Sequence, residues 1–300
     1  MVDLWYPKGV TTPEQRLRYY ASRFSTVEVD SSYYAIPRPE YAEAWVERTP
    51  PGFVFHVKAY GLMTGHEVEE RALPPELHGY SYTAERGRVR HADPDMTDAA
   101  FDLFLSAIEP LRAAGKLGGL LMQFPPYFTA ATDESEQRSL DYLDYVAGKL
   151  RGYHVLVEFR HPSWVQGACL QRTLDFLRAR SMSYVSVDGP QFPNRGTMPP
   201  LALVTGDWAY VRLHGRNAET WFARTATSAD RFDYLYSEGE LEEWAPRIRQ
   251  LAAEASETFV MFNNNKYDYA QRNAADIATI LGDLVVPPAA ADEPGTPTLF

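Results

Sequence analysis

Seven short runs of β-branched and aromatic residues recur along the chain, each bounded by turn residues, and this rhythm constrains the fold more than any other feature. They are FSTVEVDSSYY (24–34), FVFHVKAY (53–60), LGGLLMQFPP (117–126), YHVLVEFRHP (153–162), MSYVSVDGP (182–190), AYVRLHGR (209–216) and TFVMFNNN (258–265). Helical patterns separate most of them. Pro13 and Pro39 each open one, at a position where a missing N–H costs nothing. Residues 97–114, 133–150, 168–180, 239–255 and 268–283 read as further amphipathic helices, the first capped by Thr97. Strands that alternate with helices imply a parallel sheet with right-handed crossovers. The prediction is an α/β fold, a (β/α)8 TIM-type barrel with seven clear parallel strands and the first strand missing or irregular. The competing architecture is an open doubly wound sheet, but no Gly-rich dinucleotide loop follows a first strand.

Only VDLWYP precedes the first helix, too short and too broken by Pro7 for a strand. Residues 61–96 show no sustained period, as in a lid, a binding loop or a disordered segment. Residues 188–207 contain four prolines and read as an irregular crossover. The expected organisation is one barrel domain over 1–286 and a flexible tail over 287–300.

Composition narrows the function classes. No apolar run approaches the roughly 20 residues of a bilayer span, and the N-terminus has no signal-peptide pattern. Cys169 stands alone, so no internal disulfide or cysteine-based metal site forms, which suits a cytoplasmic location. A net charge of −11 disfavours sequence-independent binding to phosphate backbones.

Side chains alternate between the faces of a strand. In each run one face is apolar, whereas the other turns polar towards the C-terminal end. The polar set is Glu28 and Asp30, His56 and Lys58, Gln123, Glu158 and Arg160, Ser186 and Asp188, Arg212 and His214, and Asn263. In a parallel barrel those ends share one mouth, where sites are built. Burying so many ionisable groups is costly unless they are paired or solvated, and such clusters mark functional sites. Structural ion pairs, Glu158 with Arg160 or Asp188 with Arg212, are the alternative reading of single residues.

The expected ligand is a polar, oxygen-rich small molecule: a sugar, a sugar phosphate or a hydroxy acid. Glu28, Asp30, Lys58, Glu158, Asp188 and His214 are the catalytic candidates; Gln123, Arg160, His161, Trp164, Arg212, Asn263 and Asn265 are the binding candidates. Four chemistries stay open. Glu28 and Glu158 can share acid and base roles. Lys58 can form a Schiff base. Arg212, the HGRN turn and the NNN run can grip phosphate. Glu158, Asp188, His214 and Glu28 can hold a divalent cation, although Lys58, Arg160 and Arg212 would repel it, and no cofactor is expected.

The runs YYASRFSTVEVDSSYYAIP, LGGLLMQFPP, VEFRHPSW, YVRLHGR, YDYLYS and FNNN, with RTPPGFVFHVKA, together resemble the YecE-like family, domain of unknown function DUF 72, over residues 5–283. The resemblance implies a TIM-barrel-type fold and no established reaction. It points to Glu28, Asp30, Lys58, Gln123, Glu158, Arg160, His161, Asp188, Arg212, His214 and Asn263. Family members begin with a strand and a Gly-Thr-Ser-Gly-like turn before the Tyr6–Pro7 pair, a segment this chain lacks, and tend to show Asn where Asp30 stands.

A second class of function comes from the tail. TPTLF loosely resembles the Leu-Phe-ended peptides that dock on bacterial sliding clamps, with Leu299 and Phe300 as the contact and Thr296 in place of the usual Gln. Under that reading the chain is a non-catalytic, recruited factor of nucleic-acid metabolism.

Overall fold

The computed structural model describes residues 2–192, 196–223 and 230–289, so the Leu299–Phe300 contact lies outside the described residues. All seven predicted runs contain strands. In chain order they are β1 (Thr26–Val29) and β2 (Val54–Lys58), then, beyond three short strands of a second sheet, β3 (Val68–Glu69), β4 (Tyr82–Glu85) and β5 (Arg88–Ala92), β6 (Leu117–Gln123), β7 (Val155–Glu158), β8 (Ser183–Asp188), β9 (Trp208–Leu213) and β10 (Glu257–Phe262). The main sheet runs β1-β2-β6-β7-β8-β9-β10. Its pairs β1–β2, β6–β7, β7–β8, β8–β9 and β9–β10 are parallel. A doubly wound sheet reverses its strand order at a switch point, whereas this order follows the chain throughout, as in a (β/α) barrel. The fold is of the TIM-barrel type.

Two expectations change. Residues 61–96 are not featureless: β3, β5 and β4 form an antiparallel sheet in that order. The β4–β5 hairpin turns on Arg86 (φ 53°) and Gly87 (φ 73°). Two positive φ angles fit the tight type I′ turn that matches strand twist. Arg-Gly is a weaker signal for that turn than Asn-Gly, and only Val89 of the hairpin is buried, so no alternation betrayed it. The helix expected from Thr97 starts earlier. α4 (Pro94–Ala113) is capped by Asp93, whose carboxylate accepts from Met96 N, with proline in the first turn. VDLWYP holds a single helical turn, α1 (Val2–Trp5).

The described residues group into two compact units. The smaller comprises Tyr6–Tyr60 and Val68–Gly118. It holds α2 (Pro13–Ala21), with a capping box between Thr12 and Gln15, and α3 (Pro39–Glu47). The buried Lys116 ammonium closes the C-terminal end of α3, donating to the carbonyls of Val46 (2.7 Å) and Thr49 (2.6 Å).

The larger unit comprises Gly61–Glu67 and Gly119–Val285, with α1. Its helices are α5 (Asp133–Lys149), α6 (Ala168–Ala179), α7 (Glu238–Glu254) and α8 (Tyr269–Leu281). Ser237 and Glu240 box the start of α7, as Thr132 and Ser135 do for α5. Leu241, Trp244, Ala245, Ile248 and Leu251 of α7 and Ile277 of α8 pack on Ala209, Val211 and Leu213 of β9. Gly119 lies tightly against β7: a Cβ there would fall 2.4 Å from Leu156 Cδ1.

Register assigns the faces of this sheet. Residues in register share a face. Gln123 pairs with Glu158, Val157 with Tyr184, Val187 with Arg212, and Arg212 with Met261. One face therefore carries Gln123, Glu158, Val185, Val187 and Arg212. The other carries Val157, Ser186, Asp188 and Leu213, the last two against α7. Alternation within β8 was read the wrong way round: its valines lie on the Glu158 face and Asp188 on the helix face.

Candidate functional site

Glu158 ends β7 fully buried, and its carboxylate is the centre of a cluster in the larger unit. Oε1 accepts from Gln123 Nε2 (2.9 Å), Arg160 Nη1 (2.8 Å) and His214 Nε2 (3.1 Å). Oε2 accepts from Arg212 Nη1 at 2.6 Å. Arg212 and His214 are buried as well, whereas the Arg160 side chain keeps 19% of its surface. Burial alone would raise the Glu158 carboxyl; Arg212, His214 and Arg160 outweigh it and hold the group well below the usual carboxylate range. Glu158 is thus an ionised anchor with both oxygens engaged.

His214 is neutral at pH 7. Burial pushes its imidazole down to about 4, against the pull of Glu158 and helped by Arg160 and Arg212. Asn263 Nδ2 lies 3.1 Å from Nδ1 and donates to it, which leaves Nε2 to carry the proton towards Glu158. Since the folded state refuses a proton that the unfolded chain accepts below about pH 6.5, stability from this group is complete above that pH. It declines as pH falls towards about 4. We expect a loss of about 3 kcal/mol across that window. Urea midpoints measured at pH 7.5, 5.5 and 4.5 check this, and His214→Asn should flatten the slope between pH 6.5 and 4.5.

An aromatic wall stands beside the cluster. The Trp221 ring lies 6.4 Å and the Phe232 ring 6.1 Å from the His214 ring, centroid to centroid. The Arg160 guanidinium carbon sits 5.6 Å from the Trp221 ring. Next to Phe232, Arg231 holds a buried Nε with no hydrogen-bond partner among the described residues. Burial, and then repulsion by Arg160, lower the affinity of Arg231 for its proton.

Other candidates fall elsewhere. Asp188, on the helix face, is a buried hub for a second network: Trp244 Nε1 (3.0 Å), Tyr236 Oη (2.7 Å) and Arg216 Nε and Nη2 (2.9 and 3.1 Å) all donate to its carboxylate. Its carbonyl accepts from His214 N at 3.0 Å, and Tyr236 Oη accepts from Gly215 N at 2.8 Å. Asp188 therefore pins the backbone on which His214 stands rather than lining the Glu158 face. The alternative reading joined Asp188 to Arg212; the carboxylate is bound by Arg216, and Arg212 lies on the opposite face of the sheet. Trp164 is no binding platform. It is fully buried, its indole N–H donates to the Phe128 carbonyl (2.9 Å), and its ring stacks 4.5 Å from that of Phe159. His161 Nδ1 pairs with Ser163 Oγ at 2.8 Å and caps the short turn after β7. Asn265 keeps a buried Oδ1 with no hydrogen-bond partner among the described residues.

In the smaller unit, Glu28 registers with His56. Lys58 Nζ lies 3.3 Å from Asp30 and 4.7 Å from the centre of the Tyr33 ring. Of the four proposed cation ligands, Asp188 is on the opposite face from Glu158. Among the described residues no three His, Cys, Asp or Glu side chains group as metal ligands, and no helix is long and apolar enough to cross a membrane.

Alternation missed Arg216, Trp221, Arg231, Phe232 and Tyr236 because all lie outside the strands. Arg216 was named only as part of the HGRN turn, and the signal for the other four was the run of aromatic and basic residues after it.

A chain-ordered parallel α/β fold with buried Glu, Arg and His at its strand ends defines a TIM-barrel-type protein with a polar, cationic cluster. The chain belongs to the DUF72 family, described as a protein of unknown function, whose sequence pattern matches residues 1–296. It is 30% identical over 283 residues to the UPF0759 protein YunF of Bacillus subtilis, covering 93% of this chain and 90% of that one. UPF0759 protein YecE of Escherichia coli K12 is 27% identical over 186 residues, 61% of this chain and 54% of that protein. Among solved structures, a DUF72 family protein from Thermotoga maritima superposes with a TM-score of 0.71 at 31% identity, covering 92% of each chain. One from Enterococcus faecalis V583 does so with a TM-score of 0.72 at 28% identity, covering 90% of this chain and 95% of that one.

Proposed function

We propose that the Glu158–Arg160–Arg212–His214 cluster is the ligand site of an enzyme acting on a small, oxygen-rich anion, with Arg160 as its contact residue. The observation that carries this reading is the division of labour around Glu158. Its carboxylate orients two guanidiniums, and of the four clustered side chains Arg160 alone has appreciable solvent exposure. The hydrogen bond of Arg160 to Glu158 leaves from Nη1, so Nη2 and Nε can fork onto a carboxylate or phosphate. Fixed guanidiniums of this kind stabilise negative charge that grows during a reaction without reorganising. Glu158, engaged by four donors, serves as an anchor rather than as the acid or base.

Arg160→Gln tests the reading. Glu158 keeps Arg212, Gln123 and His214, so unfolding free energy should fall by no more than about 2 kcal/mol. Affinity for small anions, probed with inorganic phosphate and citrate by isothermal titration, should fall at least about tenfold. Equal binding by the variant and the parent sinks the proposal.

A further inference from the structure

We infer that the anion is a phosphorylated sugar in its ring form, its phosphate held by Arg160 and Arg231 and the apolar face of its ring laid on Trp221. This rests on the ligand-site reading above and narrows it.

The segment after β9 is tied so that Trp221 and the Arg231–Phe232 pair lie on the side of Arg160. Asn217 Oδ1 accepts from the backbone N–H groups of Glu219 (3.1 Å) and Thr220 (3.2 Å), and its Nδ2 donates to the Asp233 carbonyl (2.9 Å). Thr220 Oγ1 donates to the Asp230 carbonyl at 2.9 Å. Trp221 and the Arg231–Phe232 pair are thereby brought side by side, with the Trp221 and Phe232 rings 6.2 Å apart and edge-on. Trp221 also rests on the backbone of Gly189, where a Cβ would come 3.4 Å from its ring. The indole is thus held from below and partly exposed beside the Arg160 guanidinium.

The chemistry of these groups selects among oxygen-rich anions. Two guanidiniums in mutual repulsion, one with a buried N–H that has no partner among the described residues, are relieved more by a dianion than by a single carboxylate. Phosphate supplies both charges and the acceptors for planar forks. An aromatic face beside them adds affinity only for a ligand with a flat apolar surface of its own. A ring sugar has one in its axial C–H groups; an acyclic hydroxy acid has none.

Isothermal titration with inorganic phosphate, glycerol 3-phosphate, glucose 6-phosphate, ribose 5-phosphate and AMP separates the parts. The parent should bind at least one of the two sugar phosphates about tenfold more tightly than glycerol 3-phosphate or inorganic phosphate. Trp221→Leu should erase that margin and leave the phosphate affinity in place; Arg231→Gln should weaken every anion. Glycerol 3-phosphate binding as tightly as the sugar phosphates overturns the ring assignment while leaving the anion site standing. AMP binding more tightly than either sugar phosphate overturns it in favour of a base on Trp221. If no anion binds, or binding ignores Arg160→Gln, the site reading fails and this inference fails with it.

Discussion

Glu158→Gln should lower the free energy of unfolding by about 3–5 kcal/mol, the cost of taking one partner from a buried ion network. The substitution keeps shape and volume and removes only the charge. Arg212, buried and 2.6 Å away, then faces a neutral amide, and so does Arg160 at 2.8 Å. An amide also brings two donors to a position where four donors already converge, so at least one N–H must point at another. The denaturant midpoint should shift with an unchanged slope. Arg160→Gln is the internal comparison, because removing the more exposed charge costs less. A loss below about 1 kcal/mol for Glu158→Gln would mean that the two arginines do not depend on this carboxylate.

Asp188→Ala should cost a similar amount, about 3–5 kcal/mol, for a different reason. The carboxylate is buried and receives hydrogen bonds from an indole, a phenol and a guanidinium, and the first two are buried with no water to turn to. Tyr236→Phe should cost only about 1–2 kcal/mol, since it deletes one donor and leaves Trp244 and Arg216 on the carboxylate. It should nevertheless disturb the cluster on the other face of the sheet, because the phenol also accepts from Gly215 N. Nitrogen NMR of the His214 ring reads this directly. In Tyr236→Phe the ring should lose its single tautomer, and an unaltered spectrum would show that the network ends at Tyr236.

In the main sheet, strand number, type and order were legible because β-rich runs alternate with helices, and parallel α/β folds leave little other choice. Alternation also found Glu158, Arg212 and His214 together, since β7 and β9 each carry valines on the covered face. It failed at β8 for a physical reason. A period of two separates the two faces of a strand without naming either, and the usual guess that the apolar face meets the helices reversed Asp188. The helix layer there offers Trp244 Nε1 and Tyr236 Oη, which make a buried carboxylate tolerable, but their approach depends on α7 and the loop before it. Trp164 was misread because a tryptophan just past a strand end looks the same in sequence whether its N–H meets a ligand or the Phe128 carbonyl. Trp221, Arg231 and Phe232 gave no periodic signal, since a tie through Asn217 rather than a strand brings them together.

The fit of Gly119 against Leu156 reaches beyond local packing. The two positions share a single volume, filled from the β7 side, so bulk cannot be added at 119 while Leu156 stays as it is. A methyl group at 119 has room only if Leu156 shrinks in the same step. Leu156 stands two residues before Glu158, and a displaced β7 would carry that carboxylate with it. Chains that diverge from this one should therefore gain bulk at 119 only where 156 has lost it, and a library that varies 119 singly will discard most of its members at the folding stage.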